Sequence, residues 1–246
     1  MRPRALVVRS GARSLLDAAP PLRVEIVERV SHTIAMVPAA AEALEFRADL
    51  AIFTSQVAVA MGLGGANGAL LRPALAAARI VAVGTATAAA LREAGVVPEI
   101  VGGGSADSLL AALPARLAGV GVLFPCGEDA SPALDAALRR RGAAVSRCVV
   151  YRKTPKPPDA ALGAELVERP FAAFGTTSPA AARWLFEQAG PEALERLRET
   201  PAMALGPSTR AFLAERGVRR IEVAGDARFE SALRLLEALA TSAPGQ

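Results

Sequence analysis

The stretch 84–95, GTATAAALREAG, aligns without gaps on 206–217, GPSTRAFLAERG. The two copies share Gly84/Gly206, Thr87/Thr209, Ala89/Ala211, Leu91/Leu213, Glu93/Glu215 and Gly95/Gly217. Each opens on glycine and hydroxyl residues, runs on in helix-forming residues and stops at glycine, the order of a helix with a polar start and a glycine end. Upstream of each copy an apolar run ends in hydroxyls at nearly the same offset, IFTS at 52–55 and FGTTS at 174–178. Alanine-rich helices between glycines can look alike by chance. The matched upstream hydroxyls argue instead for a duplicated strand–helix–strand–helix unit, and so for two similar domains.

Working outward, short β-branched or apolar runs alternate with helical patterns along the chain: 5–9, 50–53, 80–83, 120–124, 146–151, 171–174, 202–205 and 221–223. This alternation predicts an α/β fold in which parallel sheets are flanked by helices. Helix starts are expected at Thr85 and Thr87, at Ser105 and Asp107, at Ser178-Pro179 and at Pro207-Ser208-Thr209. The polar, proline-containing RKTPKPPD at 152–159 reads as a linker, and SHTIAMVP at 31–38 as a second crossing. The expected division is a discontinuous α/β domain of 1–33 plus 154–246 and an inserted α/β domain of 37–150. GLGGANG at 62–68 reads as a loop inside the inserted domain.

With 246 residues and 52% hydrophobic content, the chain can bury such cores. The opening MRPRALVVRSG carries only a short apolar run at 5–8, too little for a signal-peptide core or a membrane span, so a cytoplasmic location is expected. A reducing compartment makes Cys126 and Cys148 free thiols, and with His32 the one histidine, no metal site is expected. The formal charge of +4 is almost all arginine, and Lys153 and Lys156 are the only lysines. Nucleic-acid binding is not expected, because aromatics are only 4% and no stacking platform or zinc-finger spacing accompanies the arginines. Arg139-Arg140-Arg141 precedes Gly142, where cations suit a helix end. A basic surface serves equally to attract a polyanionic small molecule.

Neither a nucleophile elbow, a Walker loop nor a full dinucleotide fingerprint occurs, and 62–64 and 102–104 read as plain glycine turns. His32, in an apolar and extended context, reads as structural. What remains is a set of strand-to-helix turns: Thr54-Ser55, Gly84-Thr85-Ala86-Thr87, Cys126-Gly127, Thr176-Thr177-Ser178 and Gly206-Pro207-Ser208-Thr209. Such turns present backbone N–H groups at the positive end of a helix, and hydroxyls add donors for carboxylates. Each alone is also what a plain helix cap looks like. In parallel sheets they gather at the carboxyl ends of the strands, where ligands bind.

At these residues the chain resembles the uroporphyrinogen-III synthase family. The matches are IFTSQVAV at 52–59, VAVGTATAAAL at 81–91, VLFPCG at 122–127, CVVY at 148–151 and ALGPSTRAFL at 204–213, in family order. GARSLLDAAP at 11–20 is shorter than the family's usual first helix, and ARFESAL at 227–233 lacks the hydroxyl and proline often found before the last helix. The resemblance implies two α/β domains joined by a two-stranded connection, with the active site in the cleft between them. It implies a lyase without cofactor in tetrapyrrole biosynthesis, which closes hydroxymethylbilane to uroporphyrinogen III with loss of water and inversion of the last pyrrole. Tyr151 corresponds to the family's tyrosine before the crossing, where a protonated phenol can donate to the departing hydroxyl. The expected substrate contacts are Arg9, Thr54, Ser55, Gly84, Thr85, Thr87, Cys126, Gly127, Thr177, Ser178, Gly206, Ser208 and Thr209. A monomer supplied by hydroxymethylbilane synthase is expected, with no nucleic-acid or membrane partner. The alternative is a non-catalytic two-domain module that binds a tetrapyrrole or another anionic metabolite.

Overall fold

A computed structural model describes residues 2–11, 14, 16–225 and 229–242. In chain order it contains β1 (Arg4–Ser10), β2 (Glu25–Met36), α1 (Ala41–Leu44), β3 (Leu50–Phe53), α2 (Gln56–Leu63), α3 (Gly65–Leu75), β4 (Arg79–Ala82), α4 (Thr85–Glu93) and β5 (Ile100–Val101). There follow α5 (Ala106–Ala112), β6 (Gly121–Gly127), α6 (Pro132–Arg140), β7 (Ala144–Pro155), α7 (Ala160–Glu168), β8 (Ala173–Thr176) and α8 (Pro179–Gln188). The chain continues through α9 (Pro191–Glu199), β9 (Ala202–Ala204), α10 (Pro207–Glu215), β10 (Ile221–Val223) and α11 (Phe229–Thr241). It divides into two compact units, residues 1–34 with 154–246 and residues 35–153, and passes between them within β2 and within β7.

The first unit carries the parallel strand order β10-β9-β8-β1-β2. Period-2 alternation sends the side chains of β1 to opposite faces. Leu6 and Val8 join the core under α7, α8, α9 and α10, with Phe174, Leu185 and Leu213, while Ala5 and Val7 join Leu233, Leu236 and Leu239 of α11. Arg4, buried at the amino end of β1, pairs with Glu165 of α7, and Arg29 of β2 bonds the same carboxylate at 2.9 Å and Asp159 at 3.2 Å. This network fixes α7 against β1 and β2; removing one member of such a pair costs roughly 3–5 kcal/mol.

The second unit repeats the plan with β7-β6-β3-β4-β5, again parallel. Leu50, Ile52, Val122 and Phe124 face Leu109, Leu134 and Leu138 of α5 and α6. The repeated segments have the same local structure in both units. Gly84 and Gly206 are extended N-cap residues. Gly95 and Gly217 have φ of +77° and +85°, which glycine adopts without a Cβ penalty. At each stop the next residue's N–H reaches back to a helix carbonyl, Val96 to Leu91 at 2.8 Å and Val218 to Leu213 at 3.2 Å. Both are Schellman ends with an apolar residue after the glycine.

Three sequence readings are corrected. GLGGANG at 62–68 is a helix–helix corner, not a loop: α2 runs to Leu63 and α3 begins at Gly65. The corner is closed by Asn67, whose amide donates to Val37 O at 2.8 Å and Met61 O at 3.0 Å and accepts from Ala39 N at 2.9 Å. Residues 152–155 of the expected linker belong to β7, because Lys156 N–H donates to Ser31 O and holds the chain against β2. The triple glycine 102–104 is a close-packing element and not a plain turn. A Cβ on Gly102 would lie 2.7 Å from Val83 O, and one on Gly84 would lie 2.8 Å from Gly104 Cα. Of the two stretches that depart from the family pattern, Ala12, Arg13 and Leu15 of the first and Ala227 and Arg228 of the second lie outside the described residues.

Candidate active site

Parallel pairing puts the strand ends of each unit at one edge, and the hydroxyl-bearing turns follow those ends. In the second unit Phe53 is level with Ala82, so Thr54-Ser55 and Gly84-Thr85 leave the sheet side by side, and Gly127 at the end of β6 pairs with Tyr151 of β7. Ser55 caps α2, its Oγ accepting from Ala58 N at 3.0 Å. α4 has no such cap: its N-cap is Gly84, and no side chain there closes the first turn. Thr54 and Ser55 are half-buried, Thr85 is exposed, and Thr87 is 4% exposed beneath the turn.

Tyr151 is 5% exposed, and its ring lies on the backbone of Gly127, where a Cβ would come within 2.6 Å of Cζ. Lys153 Nζ stands 5.5 Å from the ring centroid and pairs with Asp129 at 3.3 Å. Glu128 N–H donates to Tyr151 O at 3.0 Å. The phenol is thus packed at the strand end against Gly127, with the Lys153 ammonium over its ring. Cys126, one residue before that glycine, is buried in the core between the sheet and α6. Burial pushes its thiol pKa up, against a lowering by nearby Arg147. Cys148 is raised to about 11, by burial first and then by Cys126 beside it.

In the first unit Val8, Thr176 and Ala204 are level, so Arg9, Thr177-Ser178 and Gly206-Pro207-Ser208 share one edge. Ser178 caps α8 through Ala181 N at 3.2 Å, whereas α10, like α4, opens on a glycine with no side-chain cap. Ser208 is exposed and Thr209 is 2% exposed. A Cβ on Gly206 would meet nothing within 4 Å. Arg9 is 4% exposed with its guanidinium on Glu28, Nε to Oε1 at 2.7 Å, and it also donates to Gly11 O. Beside it Ser31 Oγ donates to Arg9 O, so the 2.9 Å contact with His32 Nδ1 has the imidazole as donor. His32 therefore orders the end of β1, a link that its extended, apolar sequence context does not reveal.

Each edge thus sets a glycine-opened helix beside a side-chain-capped one, α4 beside α2 and α10 beside α8, an arrangement suited to anions. A cavity of about 430 Å³, lined by Phe46, Arg47, Asp49, Gly119, Gly121 and Ala144, lies at the amino ends of β6 and β7 and includes none of these turns. Among the described residues no three His, Cys, Asp or Glu side chains are grouped to hold a metal ion, and no helix is long and apolar enough to cross a membrane.

The family model for uroporphyrinogen-III synthase HemD matches residues 20–234. Among solved structures the chain is similar to a mutant uroporphyrinogen III synthase of Thermus thermophilus, with 26% identity over 95% of this chain and 98% of that one and a TM-score of 0.67. The wild-type Thermus thermophilus enzyme is 29% identical over 96% and 97% of the two chains, with a TM-score of 0.55. Uroporphyrinogen-III synthetase from Helicobacter pylori, at 18% identity over 97% and 100% and a TM-score of 0.62, bears on the fold alone. A search of curated proteins finds no match. The family match takes in the repeated helices and most of the strand ends that precede them, and on that ground the chain belongs to the uroporphyrinogen-III synthase family.

Proposed function

We propose that this chain cyclises hydroxymethylbilane to uroporphyrinogen III, and that its substrate is held by both turn clusters, one from each of two domains with the active site in the cleft between them. The family match over residues 20–234 carries the reading. The two glycine-opened helices support it, because a linear tetrapyrrole with an acetate and a propionate on every ring needs several anion-binding turns. Thr54, Ser55, Gly84, Thr85, Thr87, Cys126 and Gly127 belong to one half, and Arg9, Thr177, Ser178, Gly206, Ser208 and Thr209 to the other. Thr87, Thr209, Cys126 and Arg9 are buried, so their part is to shape the turns from beneath. Arg9 in particular already bonds Glu28.

In the reaction the terminal hydroxyl leaves as water and an azafulvene cation equivalent remains. The substituted carbon of the last ring attacks it to form a spiro intermediate, which fragments and recloses with that ring inverted. The substrate closes unaided to the uninverted isomer, so the protein's task is to fix geometry. Tyr151 is assigned as the donor to the departing hydroxyl. The chain acts in the cytoplasm as a monomer supplied by hydroxymethylbilane synthase. Incubation with freshly made hydroxymethylbilane and separation of the uroporphyrin isomers is the test: isomer III is expected without added cofactor, and isomer I alone overturns the reading.

A further inference from the structure

The end of β8 carries a polar group that the core around it does not need. Thr176 is fully buried, and its Oγ1 has no hydrogen-bond partner. Its direction follows from alternation along the strand. A Cβ on Gly175 would face Met203 and Leu236, on the α11 side, whereas Phe174 belongs to the core beneath α8 and α10. Thr176 shares the face of Phe174, level with Val8 and Ala204, which both belong to that core. The hydroxyl therefore sits in the last side-chain layer of the strands, on the face covered by α8 and α10.

The fold itself gives no reason for a hydroxyl there. Leu205 N–H donates to Thr176 O as Val83 N–H donates to Phe53 O, so the matching position in the other unit is Phe53, an apolar side chain that is likewise fully buried. A buried hydroxyl without a partner is unfavourable, and such groups concentrate where a ligand or water supplies the missing bond. Of the helices on that face, α10 is the one that follows the neighbouring strand β9, level with Thr176, and it opens on a glycine with no side-chain cap and with open space at its Cβ position. An unpartnered donor and an uncapped helix start at neighbouring strand ends are independent observations with one chemical complement, a carboxylate.

We propose that Thr176 is a positioning residue of the first unit's half-site, its Oγ1 bonding through one water to a substrate carboxylate carried on the 206–208 turn. This rests on the synthase reading given above. The test compares Thr176→Val, which keeps shape and removes the hydroxyl, with Thr176→Ser, which keeps the hydroxyl, in the full chain. Melting temperature, KM, kcat and the isomer III fraction are measured. Thr176→Val is expected to melt at or above the parent temperature, to raise KM roughly five- to tenfold, as the loss of one hydrogen bond would, and to lower the isomer III fraction. Thr176→Ser is expected to keep the parent KM and isomer fraction. Parent KM in a folded Thr176→Val, or equal losses in both variants, overturns the proposal while the synthase reading stands. Isomer I alone from the parent chain overturns both.

Discussion

Tyr151 and Gly127 act as a pair, and their substitutions separate chemistry from placement. Tyr151→Phe removes one donor and leaves the ring on its glycine, so the fold should persist while turnover falls, with a general acid's usual contribution of roughly 10²- to 10⁴-fold as the upper guide. Full turnover in steady-state assays would take Tyr151 out of the mechanism. Gly127→Ala puts a methyl group where the ring lies and should cost at least as much turnover through displacement of the phenol. Gly206 presents the opposite case. Its backbone is extended, with φ −161°, and its Cβ position is open, so alanine fits without strain; the gain of about 0.4–1 kcal/mol through the unfolded chain is offset by alanine's poorer fit as an N-cap, leaving stability near the parent's. If the space is kept for substrate, Gly206→Ala raises KM in a protein of near-parent stability; an unchanged KM would make the glycine incidental. Cys148 sets an alkaline limit. Its folded thiol holds its proton to about pH 11, while the unfolded thiol releases it near 9.0, so the folded form binds more protons across that window. Stability then falls as pH rises from 9 to 11, by up to about 1.4 kcal/mol per unit from this group. Urea midpoints across that range should fall less steeply for Cys148→Ala, and identical slopes would contradict the assignment.

Among the elements, the corner between α2 and α3 shows what a sequence hides. Four glycines within 62–68 look like a loop, yet Gly64 and Gly68 are places where a Cβ would strike Ala60 O and Leu63 O, at 2.5 and 2.2 Å. The glycines allow two helices to meet abruptly, and the buried Asn67 amide ties the corner, through Met61 O, to Val37 O and Ala39 N of the segment after β2. Asn67→Ala should therefore destabilise by roughly 2–4 kcal/mol, read as a lower urea midpoint, because several buried groups lose partners together. A midpoint within error of the parent would refute that account. Strands were legible where burial on both faces makes an unbroken apolar run, as at Leu50–Phe53, and where a short β-branched run stands between polar neighbours, as at Ile221–Val223. β2 was not, because its half-exposed residues include Glu28 and Arg29, and only its last part stood out as a crossing. β5 has two residues, too few for any period. The turns of the candidate site were legible as types, glycine and hydroxyl after a strand, but periodicity could not tell Thr85 and Ser208, which are exposed, from Thr87 and Thr209, which the helices bury.

For the molecule as a whole, duplication leads to a prediction that neither unit makes alone. Each unit has one glycine-opened helix at its carboxyl edge, α4 in one and α10 in the other, with an exposed hydroxyl in the first turn. If the two edges hold the same tetrapyrrole, removing either hydroxyl weakens one binding event, and removing both weakens it twice. Thr85→Ala and Ser208→Ala should each reduce affinity for uroporphyrinogen III about fivefold, the worth of about 1 kcal/mol for one hydrogen bond. Distant sites without shared partners add in free energy, so the double variant should lose about 25-fold. Thr87→Ala and Thr209→Ala, buried beneath the same turns, should lower the melting temperature more than the affinity. Product titration under anaerobic conditions provides the affinities. If Ser208→Ala matters and Thr85→Ala does not, the ligand is held by the first unit alone. If neither single variant changes affinity, the exposed hydroxyls are helix caps and the backbone N–H groups alone make the anion sites.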